Sequence, residues 1–273
     1  MDKLARWNQL VEMLTTAEDG RLSIEQVVET LNVSAATVRR DFDELANQQL
    51  LTRTRGGAVA NGVSYDLPLR YKTARHPSEK HWIAEAAAKL VEAGQVVGLN
   101  GGTTTTEVGR ALAVRSRVVS ERREPFLTVV TNAVNIANEL TLHPMLKVVV
   151  VGGVARPQSY ELIGPLAMTL LKDMTLDVAI LGVDAIDAET GASAHHEGEA
   201  SINQLMGTRA KKVFVVADGS KVGRAAFARI LPIQRVDAVI TDTTAPSEAV
   251  RDIESAGCRV VECQANTVTQ SEA

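Results

Sequence analysis

Ser34-Ala-Ala-Thr-Val-Arg-Arg-Asp-Phe-Asp-Glu-Leu45, followed after a short gap by Leu50-Leu-Thr-Arg-Thr-Arg-Gly-Gly-Ala-Val59, decides how this chain is read. A serine ahead of a helix accepts a hydrogen bond from the free backbone N–H groups of the first turn, so Ser34 predicts an N-cap. Val38, Phe42 and Leu45 recur at i, i+4 and i+7 and predict one buried stripe. The opposite face then carries Ala36 and Arg40, flanked by Thr37 and Arg39. Small residues, a hydroxyl and two guanidinium groups at the positive end of a helix suit entry into a DNA major groove. Upstream, Ile24, Val27, Val28 and Leu31 predict a second amphipathic helix, with a tight turn at Asn32-Val33, and Leu4, Trp7, Val11 and Leu14 predict a third. Arg53 and Arg55 share one side of an extended segment ahead of Gly56-Gly57, the pattern of a wing that reaches phosphate or the minor groove.

The charge balance constrains this DNA reading. Residues 1–60 hold 7 Lys/Arg against 9 Asp/Glu, a net of −2. No general basic patch draws the segment to DNA, so the interface rests on Arg39, Arg40, Arg53 and Arg55, with Asp43 and Glu44 further along the helix. Affinity falls steeply with the number of neutralised phosphates, so few contacts per domain mean weak binding by one copy. A homo-oligomer, dimer or tetramer, restores the contact count.

At 273 residues the chain has room for a small and a large domain. The expected division is a DNA-binding domain over 1–59, a linker over 60–78 marked by Pro68 and Pro77, a large domain over 79–263, and a polar, aperiodic tail over 264–273. Arg70, Lys72 and Arg75 make the linker basic, and a solvated hinge is expected there. No apolar run of transmembrane length and no signal peptide are read, so a cytoplasmic protein is expected. Cys258 and Cys263 are too few for a disulfide scaffold and read as strand-edge residues.

The large domain repeats one grammar: a short Val-rich run, a small or polar residue, then a helical pattern. The runs are Val96–Leu99, Leu127–Val130, Val148–Val151, Val178–Leu181, Val213–Val216 and Ala238–Ile240. Near-continuous apolar strands separated by helices predict an α/β domain built on a parallel sheet covered on both faces. Ligands of such sheets bind beyond the carboxyl ends of the strands. At the first of these ends, Asn100-Gly101-Gly102-Thr103-Thr104 leaves a strand and opens a helix expected to run to Leu112. Glycines admit close backbone approach and the helix start offers free N–H donors, so this is read as a phosphate cradle. It is neither a Walker A loop nor a dinucleotide fingerprint, and no cofactor is expected. Asp184, after Gly182-Val183, supplies a carboxylate for sugar hydroxyls. Lys221, after Ala217-Asp218-Gly219-Ser220, supplies a cation at the neighbouring rim.

Residues 1–59 resemble the N-terminal domain of the DeoR family of bacterial transcriptional regulators. Lys80-His81-Trp82-Ile83-Ala84-Glu85-Ala86-Ala87 is similar to that family's linker-to-core junction. Gly101-Gly102-Thr103-Thr104, Thr131-Asn132, Gly152-Gly153, Gly182-Val183-Asp184 and Ala217-Asp218-Gly219-Ser220-Lys221 resemble its core motifs in order. The resemblance runs to about residue 264. It implies a winged helix-turn-helix joined to an effector domain similar in fold to ribose-5-phosphate isomerase, with phosphorylated sugars as typical effectors, and it adds Thr131, Asn132, Gly152, Gly153 and Glu199 to the candidate site. Two departures stand out. Asn100 replaces the family's usual aspartate, and Glu197-Gly198-Glu199-Ala200 replaces a Glu-Glu-Ala run, so only Glu199 carries over. The stretch Val114 to Pro125, rich in arginine, is longer than the usual connection and predicts a surface loop. His195-His196 lacks the spacing of a metal site and is read instead as part of a lid loop following Gly191.

These features predict a repressor of carbohydrate uptake or breakdown genes, gated by an anionic sugar, with double-stranded operator DNA as partner and no membrane. Two alternatives remain at this point. A DNA-tethered isomerase-like enzyme would use Asp184, Glu199 and Lys221 for proton transfer, and turnover of aldose phosphates discriminates it. A nucleotide- or redox-sensing repressor is discriminated by titration with NADH.

Overall fold

Ser34 does cap its helix: its hydroxyl oxygen accepts the Thr37 N–H at 3.2 Å and lies 2.9 Å from the Thr37 hydroxyl. The computed structural model describes residues 1–17, 19–48, 50–60, 69, 75–118 and 125–265. The chain divides into two compact units, Met1–Arg75 and His76–Ala273.

In the first unit, α1 (Lys3–Thr16) starts on Asp2, whose carboxylate accepts the Ala5 N–H at 2.8 Å. A short strand, β1 (Arg21–Ser23), leads into α2 (Ile24–Leu31) through a reciprocal capping box between Ser23 and Gln26. Asn32 closes α2 in the left-handed region at φ 50°, a conformation asparagine tolerates, and turns the chain into α3 (Ala35–Asn47). Val38, Phe42 and Leu45 are fully buried in one core with Trp7, Leu10, Val11, Leu14, Ile24 and Val27. At about 1.5–3 kcal/mol per fully buried large apolar side chain, this stripe is the chief term that orients α3. The hairpin of β2 (Leu51–Arg53) and β3 (Gly57–Ala60) completes an antiparallel sheet ordered β1-β3-β2. Gly57 is required there, because a Cβ would stand 1.9 Å from the Leu22 carbonyl oxygen.

The second unit opens with α4 (Pro77–Lys89), so Pro77 and Ser78, read as the linker's end, are helical. The six expected strands form as β4 (Val96–Leu99), β5 (Leu127–Thr131), β6 (Leu146–Val150), β9 (Leu176–Gly182), β12 (Ala210–Val216) and β14 (Ala238–Asp242). A seventh, β15 (Arg259–Cys263), was not anticipated and carries Cys263. All pair in parallel in the order β15-β14-β12-β9-β4-β5-β6. Alternation along β9 builds a core on each face. Val178 and Ile180 pack with Ile83 and Ala87 of α4 and with Val108 and Leu112 of α5 (Thr103–Val118). Ala179 and Leu181 pack with Ile202 and Met206 of α8 (Glu197–Thr208) and with Ile253 of α9 (Ser247–Ser255). Helices α6 (Val134–Leu140) and α7 (Pro165–Leu171) follow β5 and the short hairpin of β7 (Val154–Ala155) and β8 (Leu162–Ile163). From β4 the chain winds outward through β5 to β6, then returns to β9 on β4's other side and winds outward through β12. The direction reverses between β4 and β9, and ligand crevices form at such reversals.

Two sequence expectations are corrected. The predicted surface loop from Val114 is helical to Val118, because Arg115 docks its guanidinium on the Ala88 and Val91 carbonyls and Ser116 is buried on the Ala113 carbonyl. Arg122 and Arg123 lie outside the described residues, as do Arg70 and Lys72. Of the loop expected after Gly191, residues 191–194 form a strand instead, β11 (Gly191–Ala194), paired on both edges between β10 (Ala185–Asp187) and β13 (Ala228–Leu231), while His195 and His196 lie in the irregular link to the helix that begins at Glu197. The residues of β11 are buried, so main-chain pairing and Ala packing fix it in place.

Candidate DNA interface and effector site

On α3 the cap and stripe leave Ala36, Arg39 and Arg40 exposed, with Thr37 half-exposed, as the groove-reading pattern requires. Arg55 is exposed in the turn between β2 and β3. Arg53 differs from the expectation of two free wing arginines. It is half-buried, ion-paired to Asp43 at 2.8 Å, donates to the Gly57 carbonyl at 3.2 Å, and stacks 5.6 Å from the Phe42 ring centroid. Its guanidinium therefore fastens the wing to α3, and among the described residues the cation of the wing left without an ion pair is Arg55. Lys3 pairs with Glu44, so both acids on the later turns of α3 are matched by cations. This is how a segment with net negative charge presents a positive helix start.

Asp41 was missed by the sequence reading. It is buried, receives Arg6 at 2.5 and 3.0 Å, and accepts the Trp7 indole N–H at 2.9 Å. It ties α1 to the recognition helix. The signal was present: Asp41 lies on the Val38-Phe42-Leu45 stripe, where a carboxylate needs a partner.

In the second unit the candidates gather at the β4–β9 reversal. Asn100 is buried and clamps one backbone group, donating to the Gly182 carbonyl at 2.9 Å and accepting the Gly182 N–H at 2.8 Å. Its amide thus joins the two strand ends instead of facing a ligand. Gly102 precedes α5 at φ 129°, and its carbonyl receives the Thr105 and Thr106 hydroxyls at 3.1 and 2.7 Å. Thr103 is half-exposed at the helix start, and the buried Thr104 hydroxyl has no hydrogen-bond partner among the described residues. Lys221 donates to the Val183 carbonyl at 2.7 Å, next to Asp184, whose carboxylate accepts the His195 N–H at 2.9 Å. Burial alone would raise Asp218, but Lys221, the Ser220 hydroxyl, His76 and Lys80 outweigh it and hold the carboxyl below its usual range. Glu199, buried in the first turn of α8, pairs with Arg156 at 3.0 Å. Thr131 accepts the Ala133 N–H at 3.1 Å, and Asn132 donates to the Glu161 carboxyl at 3.0 Å.

Gly152 and Gly153 follow the end of β6, and only Gly153 has a backbone need for glycine. Gly152 is exposed, and Gly153, at φ 146°, lies where a Cβ would meet the Ile163 carbonyl at 2.9 Å. Among the described residues no group of three His, Cys, Asp or Glu could hold a metal ion, and no helix is long and apolar enough to cross a membrane.

The model of the DeoR-like helix-turn-helix domain matches residues 6–62, and that of the DeoR C terminal sensor domain matches residues 75–243. The chain belongs to the DeoR family. The HTH-type transcriptional regulator GlpR of Haloferax volcanii is 34% identical, over 94% of this chain and 96% of that protein. The glycerol-3-phosphate regulon repressor of Escherichia coli K12 is 31% identical, over 90% and 93%. Among solved structures, ribose 5-phosphate isomerase A of Methanocaldococcus jannaschii matches at 21% identity over 52% of each chain, with a TM-score of 0.39. The protein is a transcriptional repressor of the DeoR family and not an enzyme, with operator DNA and a small-molecule effector as its partners.

Within this DeoR-family sensor domain the sequence reading also passed over Glu161 and Arg156. Burial first, then the Glu199 and Asp184 carboxylates, push the Glu161 carboxyl up to about 8, against hydrogen bonds from Asn132 and the Gly101 backbone. No spacing rule marks either residue, because both owe their positions to the turn between β7 and β8.

Proposed function

We propose that this repressor is gated by a phosphorylated sugar or related anionic metabolite bound at the β4–β9 reversal, and that it governs carbohydrate transport or breakdown genes. The observation that carries the reading is a chain of contacts: Lys221 on Val183, Gly182 clamped by Asn100, and the Gly101-Gly102 turn opening α5. In this reading Lys221 and the helix-start N–H groups of α5 act together with the carboxylates of Asp184 and Glu199. Donors and a cation receive an anionic group, while carboxylates accept hydroxyl protons, so the set suits an anionic polyol. The Escherichia coli relative, a repressor of a glycerol-3-phosphate regulon, supports the same class. Bound effector favours the state with lower operator affinity, which releases the DNA.

In this reading Ala36, Thr37, Arg39 and Arg40 meet base edges and phosphates in the major groove, Ser34 presents the helix start, and Arg55 meets the backbone or minor groove. The repressor acts in the cytoplasm as a homo-oligomer. Exposed apolar side chains around the β7–β8 hairpin, with Val154 66%, Leu166 70% and Leu170 44% exposed, support a face for a second copy. The test is anisotropy titration of DNA from upstream of its own and neighbouring genes, with and without a panel of aldose and polyol phosphates and their unphosphorylated sugars. Release by a phosphorylated member alone is expected. Operator affinity indifferent to every member overturns the gating.

A further inference from the structure

Glu161 is a buried acid that the site as described leaves without a task. It closes the turn between β7 and β8, where the backbone of residues 160–162 pairs with that of 132–134: Val134 N–H donates to the Tyr160 carbonyl at 3.0 Å and Leu162 N–H to the Asn132 carbonyl at 2.6 Å. This pairing aims the side chain across the carboxyl end of β5 toward β4. The carboxyl there meets the Gly101 backbone and receives the Asn132 amide at 3.0 Å. A Cβ on residue 101 would stand 2.4 Å from Glu161 Cγ and 2.6 Å from Oε1, so only glycine there admits the acid. At the ends of the same two strands, the buried Thr104 hydroxyl and the buried Asn132 side-chain carbonyl oxygen have no hydrogen-bond partner among the described residues. Buried polar atoms left unpaired are costly, and they point to a place built for another guest.

We propose that Glu161 is the internal occupant of the effector's anion cradle, and that the effector binds by displacing it. This rests on the reading of the α5 start as the anion-binding end of the site. A carboxyl group and a phosphate compete for the same donors. Neither is tolerated beside the other when both are charged, least of all with Glu199 and Asp184 adding negative charge from α8 and from the end of β9. Arg156 is already paired with Glu199, and Lys221 sits on the Val183 carbonyl. In the ligand-free protein the acid therefore stays neutral on the Gly101 N–H. When an anion takes that donor, Glu161 leaves for water and ionises. Its departure also unfastens the β7–β8 turn from the end of β5, a local change that bound effector produces and empty protein lacks.

Two readouts on the full-length protein test the displacement, with inorganic phosphate as probe. In titration calorimetry, Glu161→Ala binds phosphate about tenfold tighter than wild type, since the competitor is gone. Glu161→Gln, an uncharged isostere that keeps the turn filled, guards against loss of folding in the alanine variant. Measured in buffers of different ionisation enthalpy at pH 7, wild type releases close to one more proton per phosphate bound than Glu161→Gln. The phosphate's own proton is common to both and cancels. Equal or weaker phosphate binding by Glu161→Ala, or equal proton release, overturns the displacement while leaving the cradle intact. If folded wild type and both variants all fail to bind phosphate, the cradle reading itself falls and the displacement with it.

Discussion

Asn132 donates its side-chain amide to Glu161 Oε2 at 3.0 Å, joining the carboxyl end of β5 to the β7–β8 turn through a fully buried bond. The pair gives the sensor domain a titration of its own. Burial and the Glu199 charge set the Glu161 carboxyl at about 8, against an ordinary value of 4.5. The folded chain therefore keeps a proton that the unfolded chain has released. Stability from the neutral form is complete below about pH 4.5 and is lost as pH rises toward 8, with a slope approaching about 1.4 kcal/mol per pH unit. Thermal unfolding from pH 5 to 8 should show a falling Tm in wild type and a flatter profile in Glu161→Gln. Identical profiles would place the titration elsewhere.

Asp41 is the corresponding buried acid of the DNA-binding unit, and it is ion-paired to Arg6. Replacing it with Ala leaves the half-buried Arg6 guanidinium and the Trp7 indole N–H without their acceptor. The expected cost is about 2–4 kcal/mol, reduced from that of a fully buried pair by Arg6's partial exposure. The chain has 2 tryptophans. In a Trp82→Phe background, Trp7 fluorescence follows this unit alone during urea unfolding. A midpoint unchanged by Asp41→Ala would mean that α1 is held by its apolar face only.

Asn100 holds Gly182 through both ends of its amide, donating to the carbonyl and accepting the N–H. Asn100→Asp keeps the acceptor for the Gly182 N–H but sets a carboxylate oxygen against the Gly182 carbonyl. The expected loss is about 1–3 kcal/mol at neutral pH, relieved in acid, where the protonated carboxyl donates again. Tm of the variant should approach wild type as pH falls. A constant gap at all pH values would show that the donor half of the clamp contributes nothing.

Legibility in the sequence followed the range of the forces involved. The recognition helix was readable because its cap, stripe and exposed face are encoded within Ser34–Leu45. The parallel sheet was readable because buried strands such as Val178–Leu181 are apolar on both faces. Arg53 misled because its partners, Asp43 and Phe42, lie on α3, and spacing within the wing is blind to them. Glu161 was invisible because its burial depends on residues 160–162 pairing with 132–134, a contact no local period records. The strand at Gly191–Ala194 was read as loop because Gly and His suggest one, while its second partner, β13, comes from a distant part of the chain.

The exposed arginines of the DNA-binding unit divide by role. Arg40→Ala should cost about 1–3 kcal/mol in specific operator affinity, the loss of a bidentate base contact, and relax preference at one base pair. Arg55→Ala should weaken binding to all sequences alike and lower the slope of log K against log salt by about one contact. Anisotropy titrations on operator and scrambled duplexes at several salt concentrations separate the two. The same signature for both variants would refute the division.

Lys221 carries the last prediction. Its ammonium lies 2.7 Å from the Val183 carbonyl, next in the chain to Asp184, and the proposed gating makes it the partner of the effector's anionic group. A ligand shifts the operator equilibrium only by its preference for one state, and holding its charge supplies that preference. Lys221→Met keeps the apolar stem and removes the charge. The variant should bind operator as wild type does, yet need at least about tenfold more effector for release, which is a super-repressor in the cell. The measurement is operator anisotropy with increasing effector, for wild type and variant side by side. Release at the same effector concentration would make Lys221 a structural tie on β9 and move the anion's partner elsewhere along the strand ends.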